Sequence, residues 1–342
     1  MNKINRVKII AEVGVNHNGS FVLAQQIVKK LSKLDIDYIK FQLANPDKVY
    51  SKDSFKADYQ NRFDSKISIK NMSKRFQLTK DEHLKLNMIC KKYGKSYACT
   101  AFDLESLKFL VKKIKIPFIK IPSGEITSID ILEYAAKQKK QILLSTGMST
   151  YNDIENALKI LKKYKNKKII ILHCTSVYPA KNNCLNLNVL DELKKRFNLP
   201  VGYSDHSQTD LASLAAVSKN AIFIEKHVTL NKSFKGPDHA ASYNIKEFKN
   251  FVENIRKIEI ILGSRKKKFS KEEEQIKTVA RKSIVSKINL YKNTKINLKD
   301  LTFKRPGTGI SPLDYKKVTK NKLKINLEKD KVITKNMLRY KI

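Results

Sequence analysis

The sequence predicts an α/β protein: a (β/α)8 barrel followed by a small β-rich module. Three observations carry this expectation. Eight short apolar or β-branched runs recur over the first 262 residues, each followed by a stretch with helical spacing. Such alternation implies parallel strands with right-handed crossovers, and eight units over about 250 residues is barrel size. The rival, an open doubly wound sheet, usually has fewer strands and a Gly-rich first turn, and GxGxxG is absent.

In order, the expected strands are Ile9–Val15, Tyr38–Leu43, Ser96–Ala101, Phe118–Ile121, Gln141–Leu144, Lys168–Leu172, Pro200–Tyr203 and Ala221–Glu225. The expected helices are Phe21–Leu34, Asp81–Tyr93, Leu104–Ile114, Ile129–Lys137, Tyr151–Tyr164, Val189–Phe197, Asp210–Ser218 and Ile245–Leu262. The second connection, Ala44–Thr79, is long and weakly periodic, which fits either a lid over the barrel mouth or a peripheral excursion. The barrel domain is expected over 1–263, a charged linker over 264–280 and the β-rich module over 281–342. In that module INLYKNTKINLKDL (Ile288–Leu301) and INLEKDKVITKNML (Ile325–Leu338) match at Ile, Asn, Leu, Lys, Ile and Leu, so internal pseudo-symmetry is expected. Between them KRPGTGISP (Lys304–Pro312) reads as a shaped loop.

Net charge is +38, yet nucleic acid is not the expected partner. The cations are 61 Lys and only 9 Arg, scattered along the chain, whereas base and phosphate recognition favours Arg forks. The charge would still draw anionic substrates toward a cleft. No apolar run approaches the roughly 20 residues that cross a bilayer, and the opening MNKINRVKII has no signal-peptide pattern. A cytoplasmic, membrane-free protein is expected, with Cys90, Cys99, Cys174 and Cys184 as reduced thiols.

Active-site groups of such barrels lie at the carboxyl ends of the strands. Polar residues collect there: Glu12, Lys40, Gln42, Thr100, Lys120, Ser123, Glu125, Ser176, Tyr178, Ser204, His206 and His227. Lys40 and Lys120 sit inside apolar runs, where an ammonium needs an anion. Three roles fit them: an internal ion pair with Glu12, Glu125 or Glu225, a grip on a ligand phosphate or carboxylate, or a Schiff base. Ser123, Thr100 and Ser204 nearby favour the anion grip. His206 and His227 end the last two strands side by side and suit a divalent cation such as Mn²⁺, Zn²⁺ or Fe²⁺. Hydrogen-bonded histidines packed at the rim are the competing reading.

The motifs AEVGVNHNG, IKFQ, FIKIPSGE, STGM, HCTSVYP, GYSDHS, IEKHVTL, GPDHAAS, VARKSIV and KRPGTGISP follow one another along nearly the whole chain. This series resembles the sialic acid synthases, the N-acetylneuraminate synthases and their relatives for legionaminic and pseudaminic acids. The resemblance implies a barrel with a C-terminal antifreeze-like (SAF) domain and a domain-swapped homodimer. It also implies condensation of phosphoenolpyruvate with an N-acyl mannosamine-type sugar, N-acetylmannosamine in the sialic acid case. On that likeness His206 and His227 ligate Mn²⁺, or another cation such as Mg²⁺. Lys40, Thr100, Lys120, Ser123 and Ser204 hold phosphoenolpyruvate. Glu12, Gln42, Glu125, Tyr178 and Asp238 contact or act on the sugar, and Arg305 reaches the N-acyl group from the other subunit. Glu12 and Glu125 are both acid/base candidates. Ser176 stands where sialic-acid-specific members often carry Asn. The TS pair is similar to the pseudaminic branch, whereas GPDHAAS leans toward the sialic and legionaminic branches.

Overall fold

The computed structural model describes residues 6–57 and 66–340. Residues 58–65, inside the long second connection, lie outside the described residues. The chain divides into two compact units, Met1–Gly263 and Ser264–Ile342.

In the first unit eight parallel strands close into a barrel. They are Lys8–Gly14 (β1), Tyr38–Leu43 (β2), Ser96–Ala101 (β3), Phe118–Ile121 (β4), Gln141–Ser145 (β5), Ile169–Cys174 (β6), Val201–Asp205 (β7) and Phe223–Thr229 (β8). Strand β8 pairs back onto β1, so no edge is left open. The strands β6, β7 and β8 run past the expected ends, to Cys174, Asp205 and Thr229. Polar residues that signal a loop in sequence are paired strand here, because the barrel carries them to its rim.

The eight expected helices are present. Ser20, Thr79, Asp103, Thr150, Thr209 and Asn244 accept a backbone N–H at the first turn of theirs. The helix after β3 is α-helical over Leu104–Phe109 and a π-turn over Leu110–Ile114. Its lower half buries Leu110, Val111 and Ile114. No helix among the described residues is long and apolar enough to cross a membrane.

Side-chain alternation explains the barrel interior. Ile10, Ala98, Phe118, Leu143, Leu172 and Phe223 form an apolar floor. Two residues on, the same strands carry Glu12, Thr100, Lys120, Ser145, Cys174 and Glu225, and a period of two puts them on the same inward face. Lys40 and Ser204 join them on β2 and β7. Each buried Ile, Leu or Phe of this floor contributes roughly 1.5–3 kcal/mol. The floor thus provides the apolar support under a layer of groups that are costly to bury.

The long connection carries two short helices, Pro46–Val49 and Ile69–Arg75. Ile69, Met72 and Phe76 pack together with Val15 and Tyr50. The described part is therefore packed structure beside the mouth.

The second unit opens with a helix, Lys271–Ala280, inside the stretch expected as linker. Ser283–Ser286 (β9) and Leu301–Lys304 (β10) then pair antiparallel. Leu290 and Leu327, equivalent positions of the internal repeat, exchange both backbone hydrogen bonds at 2.7 Å. The equivalent pairs Ile296 with Ile333 and Leu301 with Leu338 are all buried in one core. The repeat is thus a pseudo-twofold built around these residues. Arg305 is exposed on the loop after β10.

Candidate active site

The polar layer forms the floor of a cavity of about 270 Å³ at the carboxyl end of the barrel. Register brings its charges together: Glu12 lies beside Lys40 on one side and His227 on the other. Thr100 is opposite Lys120, and Ser204 opposite Glu225. Lys40 Nζ is 2.7 Å from Glu12 Oε2 and 3.4 Å from Glu225 Oε2, and donates to Thr100 Oγ1 at 2.9 Å. Lys120 Nζ donates to Glu225 Oε1 at 2.8 Å, and Ser204 Oγ to the same oxygen at 2.9 Å. Gln42 Nε2 donates to Glu12 Oε1 at 2.9 Å.

Two ammoniums and two carboxylates therefore share one buried layer, and they are not equivalent. Burial works against the Lys40 charge, but Glu12 and Glu225 outweigh it and raise its pKa. Burial would also raise Glu225, yet Lys120 and Lys40 hold it below the usual carboxylate range. Glu12 has Lys40 but also the negative Glu225 nearby; burial dominates and pushes it up to about 7. One carboxylate thus stays ionised while the other is poised to exchange a proton near neutrality.

Above the layer stand His206 and His227, ring centroids 5.5 Å apart. His206 Nδ1 is 2.7 Å from the Thr175 carbonyl oxygen, to which it donates, leaving the Nε2 lone pair free to accept. Tyr178 Oη lies 3.2 Å from that Nε2. Burial pushes His206 down to about 4, and burial with the neighbouring His206 takes His227 well below the ordinary value. Both rings are neutral at physiological pH. His227 Nδ1 is buried with no hydrogen-bond partner, 3.8 Å from Asp238 Oδ2. Neutral imidazoles fit a divalent cation, which at His206 would replace the Tyr178 hydroxyl on the Nε2 lone pair. Among the described residues no group of three His, Cys, Asp or Glu is placed to hold a metal. A cation here would complete its shell with water and substrate.

Ser123 and Ser176 line the same cavity. Ser123 Oγ accepts from Gly147 N at 3.0 Å, and a Cβ on Gly147 would lie 2.2 Å from Ser176 Oγ. Only glycine leaves both hydroxyls in place. Asp238 borders the adjoining cavity of about 220 Å³ together with Gln42, Tyr178 and His227. Burial raises Asp238 to about 6. One wall of that second cavity is apolar, built from Val15, Val49, Ile69, Met72, Phe76 and Phe102, and Ser73 and Gln77 add polar groups to the lining.

Glu125 is placed elsewhere. The 3-10 turn Ser123–Glu125 directs its carboxylate to the Ser128 hydroxyl, and it lines a separate cavity with Asp103, Glu105 and Asp130. Of the two acid/base candidates, only Glu12 borders the lysines. Two other histidines near strand ends are turned into structural bonds. His173 is 2.7 Å from Leu185 O, and His239 bridges Thr229 and Asn18. Glu225, expected from sequence only as an ion-pair partner, joins both lysines and Ser204. Its signal was its spacing, two residues before His227 and two after the floor residue Phe223.

Comparison with known proteins identifies the family. The NeuB family model matches residues 27–267 and the SAF domain model residues 281–339. The N,N'-diacetyllegionaminic acid synthase of Legionella pneumophila is 38% identical over 339 residues, 95% of each chain. The human N-acetylneuraminate-9-phosphate synthase is 28% identical, over 96% of this chain and 92% of that one. The solved structure of N-acetylneuraminic acid (sialic acid) synthetase from Leptospira borgpetersenii serovar Hardjo-bovis, in complex with citrate, superposes with a TM-score of 0.72 at 33% identity. It covers 80% of this chain and 90% of that one.

Proposed function

The chain belongs to the NeuB family and carries an SAF domain after its barrel, and on that premise we propose that it condenses phosphoenolpyruvate with an N-acylated aldose. Water is consumed, and the products are a nine-carbon 2-keto sugar acid and phosphate. Like its synthase relatives, it is an enzyme. The observation that carries the reading is the pair of buried ammoniums, Lys40 and Lys120, directly beneath two neutral imidazoles in one cavity.

Phosphoenolpyruvate brings a carboxylate and a phosphate. Lys40, Lys120, Thr100, Ser123 and Ser204 offer them cations and hydroxyls already held in place, so little reorganisation is needed at the moment of reaction. His206 and His227 are the residues that would hold Mn²⁺ or a similar cation. When bound, that ion supplies Lewis-acid polarisation of the acceptor's aldehyde oxygen. The methylene carbon of phosphoenolpyruvate forms the new bond to the aldehyde carbon. Water adds to the enol carbon, and the carbon–oxygen bond to phosphate breaks. Glu12, with its carboxyl near 7 and fixed by Gln42 and Lys40, takes the proton from that water. Lys40 is held as an ammonium, which removes the free amine a Schiff base needs.

The acceptor is a 2,4-diacetamido-2,4,6-trideoxyhexose in this reading. The apolar wall of the cavity beside Gln42, Tyr178 and Asp238, with Val15, Ile69, Met72 and Phe76, suits a methyl group better than a hydroxymethyl, and the polar groups opposite suit an acetamido group. Identity of 38% to a legionaminic acid synthase supports the same choice. The enzyme works as a domain-swapped dimer, with Arg305 of the partner subunit meeting the N-acyl group; its exposure in this chain supports that role. The test is phosphate release from phosphoenolpyruvate with Mn²⁺ and three acceptors: N-acetylmannosamine, the 2,4-diacetamido mannose analogue and its altrose counterpart. Highest kcat/KM is expected with the second; no phosphate release with any of the three refutes the activity.

A further inference from the structure

We propose that Asp205 and Lys226, on the outer face of the barrel, are a positioning pair that fixes His206 and His227 at the separation a cation requires. This rests on reading those histidines as cation ligands.

The β7–β8 ladder has three paired positions, Tyr203 with Ile224, Ser204 with Glu225 and Asp205 with Lys226. It ends there. His206 is the first residue past the end of β7, so backbone pairing alone does not set its distance from His227. The side chains of the last pair supply the missing constraint. Lys226 Nζ donates to Asp205 Oδ2 at 2.9 Å and to Ser207 O at 2.8 Å. Asp205 Oδ1 accepts from Ser207 N at 2.8 Å. Both neighbours of His206 are thereby tied to the residue that immediately precedes His227.

The pair is itself held from outside. Ser213 Oγ, on the helix Asp210–Ser218, donates to Asp205 Oδ2 at 2.7 Å. The Lys226 ammonium lies 4.4 Å from the Tyr243 ring centre and 5.7 Å from that of Phe251. The Asp205 and Lys226 side chains are 0% and 2% exposed. A buried ion pair adds little net stability, because desolvation offsets the attraction; its attested use is to specify register. Here the register specified is that of two histidine-bearing strand ends.

The experiment uses the full chain and Mn²⁺ alone, with free Mn²⁺ counted by electron paramagnetic resonance. The double variant Asp205→Asn/Lys226→Met removes both charges at nearly constant volume, which leaves no unpaired charge behind. Its Kd for Mn²⁺ is expected to rise about tenfold or more, the scale of lost outer contacts at metal sites. The thermal shift given by phosphoenolpyruvate without metal should match wild type. A double variant that binds Mn²⁺ as tightly as wild type overturns the proposal. Should that variant not fold, Ser213→Ala carries the test: a Kd about threefold weaker supports the clamp, and an unchanged Kd overturns it. Wild-type protein that takes up no Mn²⁺ overturns the cation reading itself, an outcome distinct from equal binding by wild type and variant.

Discussion

Glu225→Gln is the sharpest perturbation of the polar layer. In the native chain Glu225 neutralises Lys120 at 2.8 Å and stands 3.4 Å from Lys40, all three side chains being at most 5% exposed. Glutamine keeps the shape and removes the charge. Two buried ammoniums are then left with Glu12 alone, and burial resists ionising Glu12 further. Removing one partner of a buried pair costs about 3–5 kcal/mol. At about 2 °C per kcal/mol for a barrel of this size, the unliganded Tm should fall by about 6–10 °C. Phosphoenolpyruvate replaces the lost anion, so its stabilising shift should be larger in Glu225→Gln than in wild type. Differential scanning calorimetry with and without phosphoenolpyruvate reads both quantities. An unchanged Tm would show that the lysines do not depend on Glu225. A smaller phosphoenolpyruvate shift in the variant would show that the anion binds elsewhere.

Three other outcomes follow from the same geometry. With Glu12 raised to about 7 and active as a base in its deprotonated form, kcat/KM should climb with pH through an apparent pKa near 7. Glu12→Gln should abolish turnover, whereas Glu125→Gln should leave that rising limb in place; an identical profile after losing Glu12 would remove it from the mechanism. Met72→Asn puts an amide into the apolar wall of the second cavity and should cut kcat/KM for the trideoxy acceptor about tenfold, with a smaller effect on N-acetylmannosamine. Equal losses would mean that this cavity does not read the acceptor. Arg305→Ala should raise the KM of the sugar more than that of phosphoenolpyruvate, and equal changes would count against its contact with the N-acyl group.

The barrel was legible because its strands announce themselves twice, by apolar runs and by helical stretches between them. The floor of the site was legible for a related reason. Lys40 and Lys120 break apolar runs, and such a break inside a closed barrel requires an anion. The sequence left ion pairing and ligand binding open as alternatives. The structure shows the ion pairs, with Lys40 and Lys120 also facing the cavity. What stayed hidden depends on turns rather than periodicity. Glu125 follows Ser123 by two residues, but a single 3-10 turn and the Ser128 hydroxyl send it to another cavity. The helix Ile69–Arg75 has seven residues, too few to show an amphipathic period, so its apolar contribution to the second cavity emerged only with coordinates. His17, His173 and His239 also lie near strand ends in the sequence, yet of these five histidines only His206 and His227 line the main cavity; His173 and His239 are spent on Leu185, Thr229 and Asn18, and His17 accepts from Gly19 N.

Crystals of the wild-type protein soaked in Mn²⁺ and phosphoenolpyruvate, with data collected at the manganese absorption edge, would test the arrangement most directly. One anomalous peak shared by His206 and His227, with the phosphate and carboxylate density resting on Lys40 and Lys120, is the result expected. Manganese away from both imidazoles, or the phosphate bound with either lysine still turned only to its glutamate, would contradict the account.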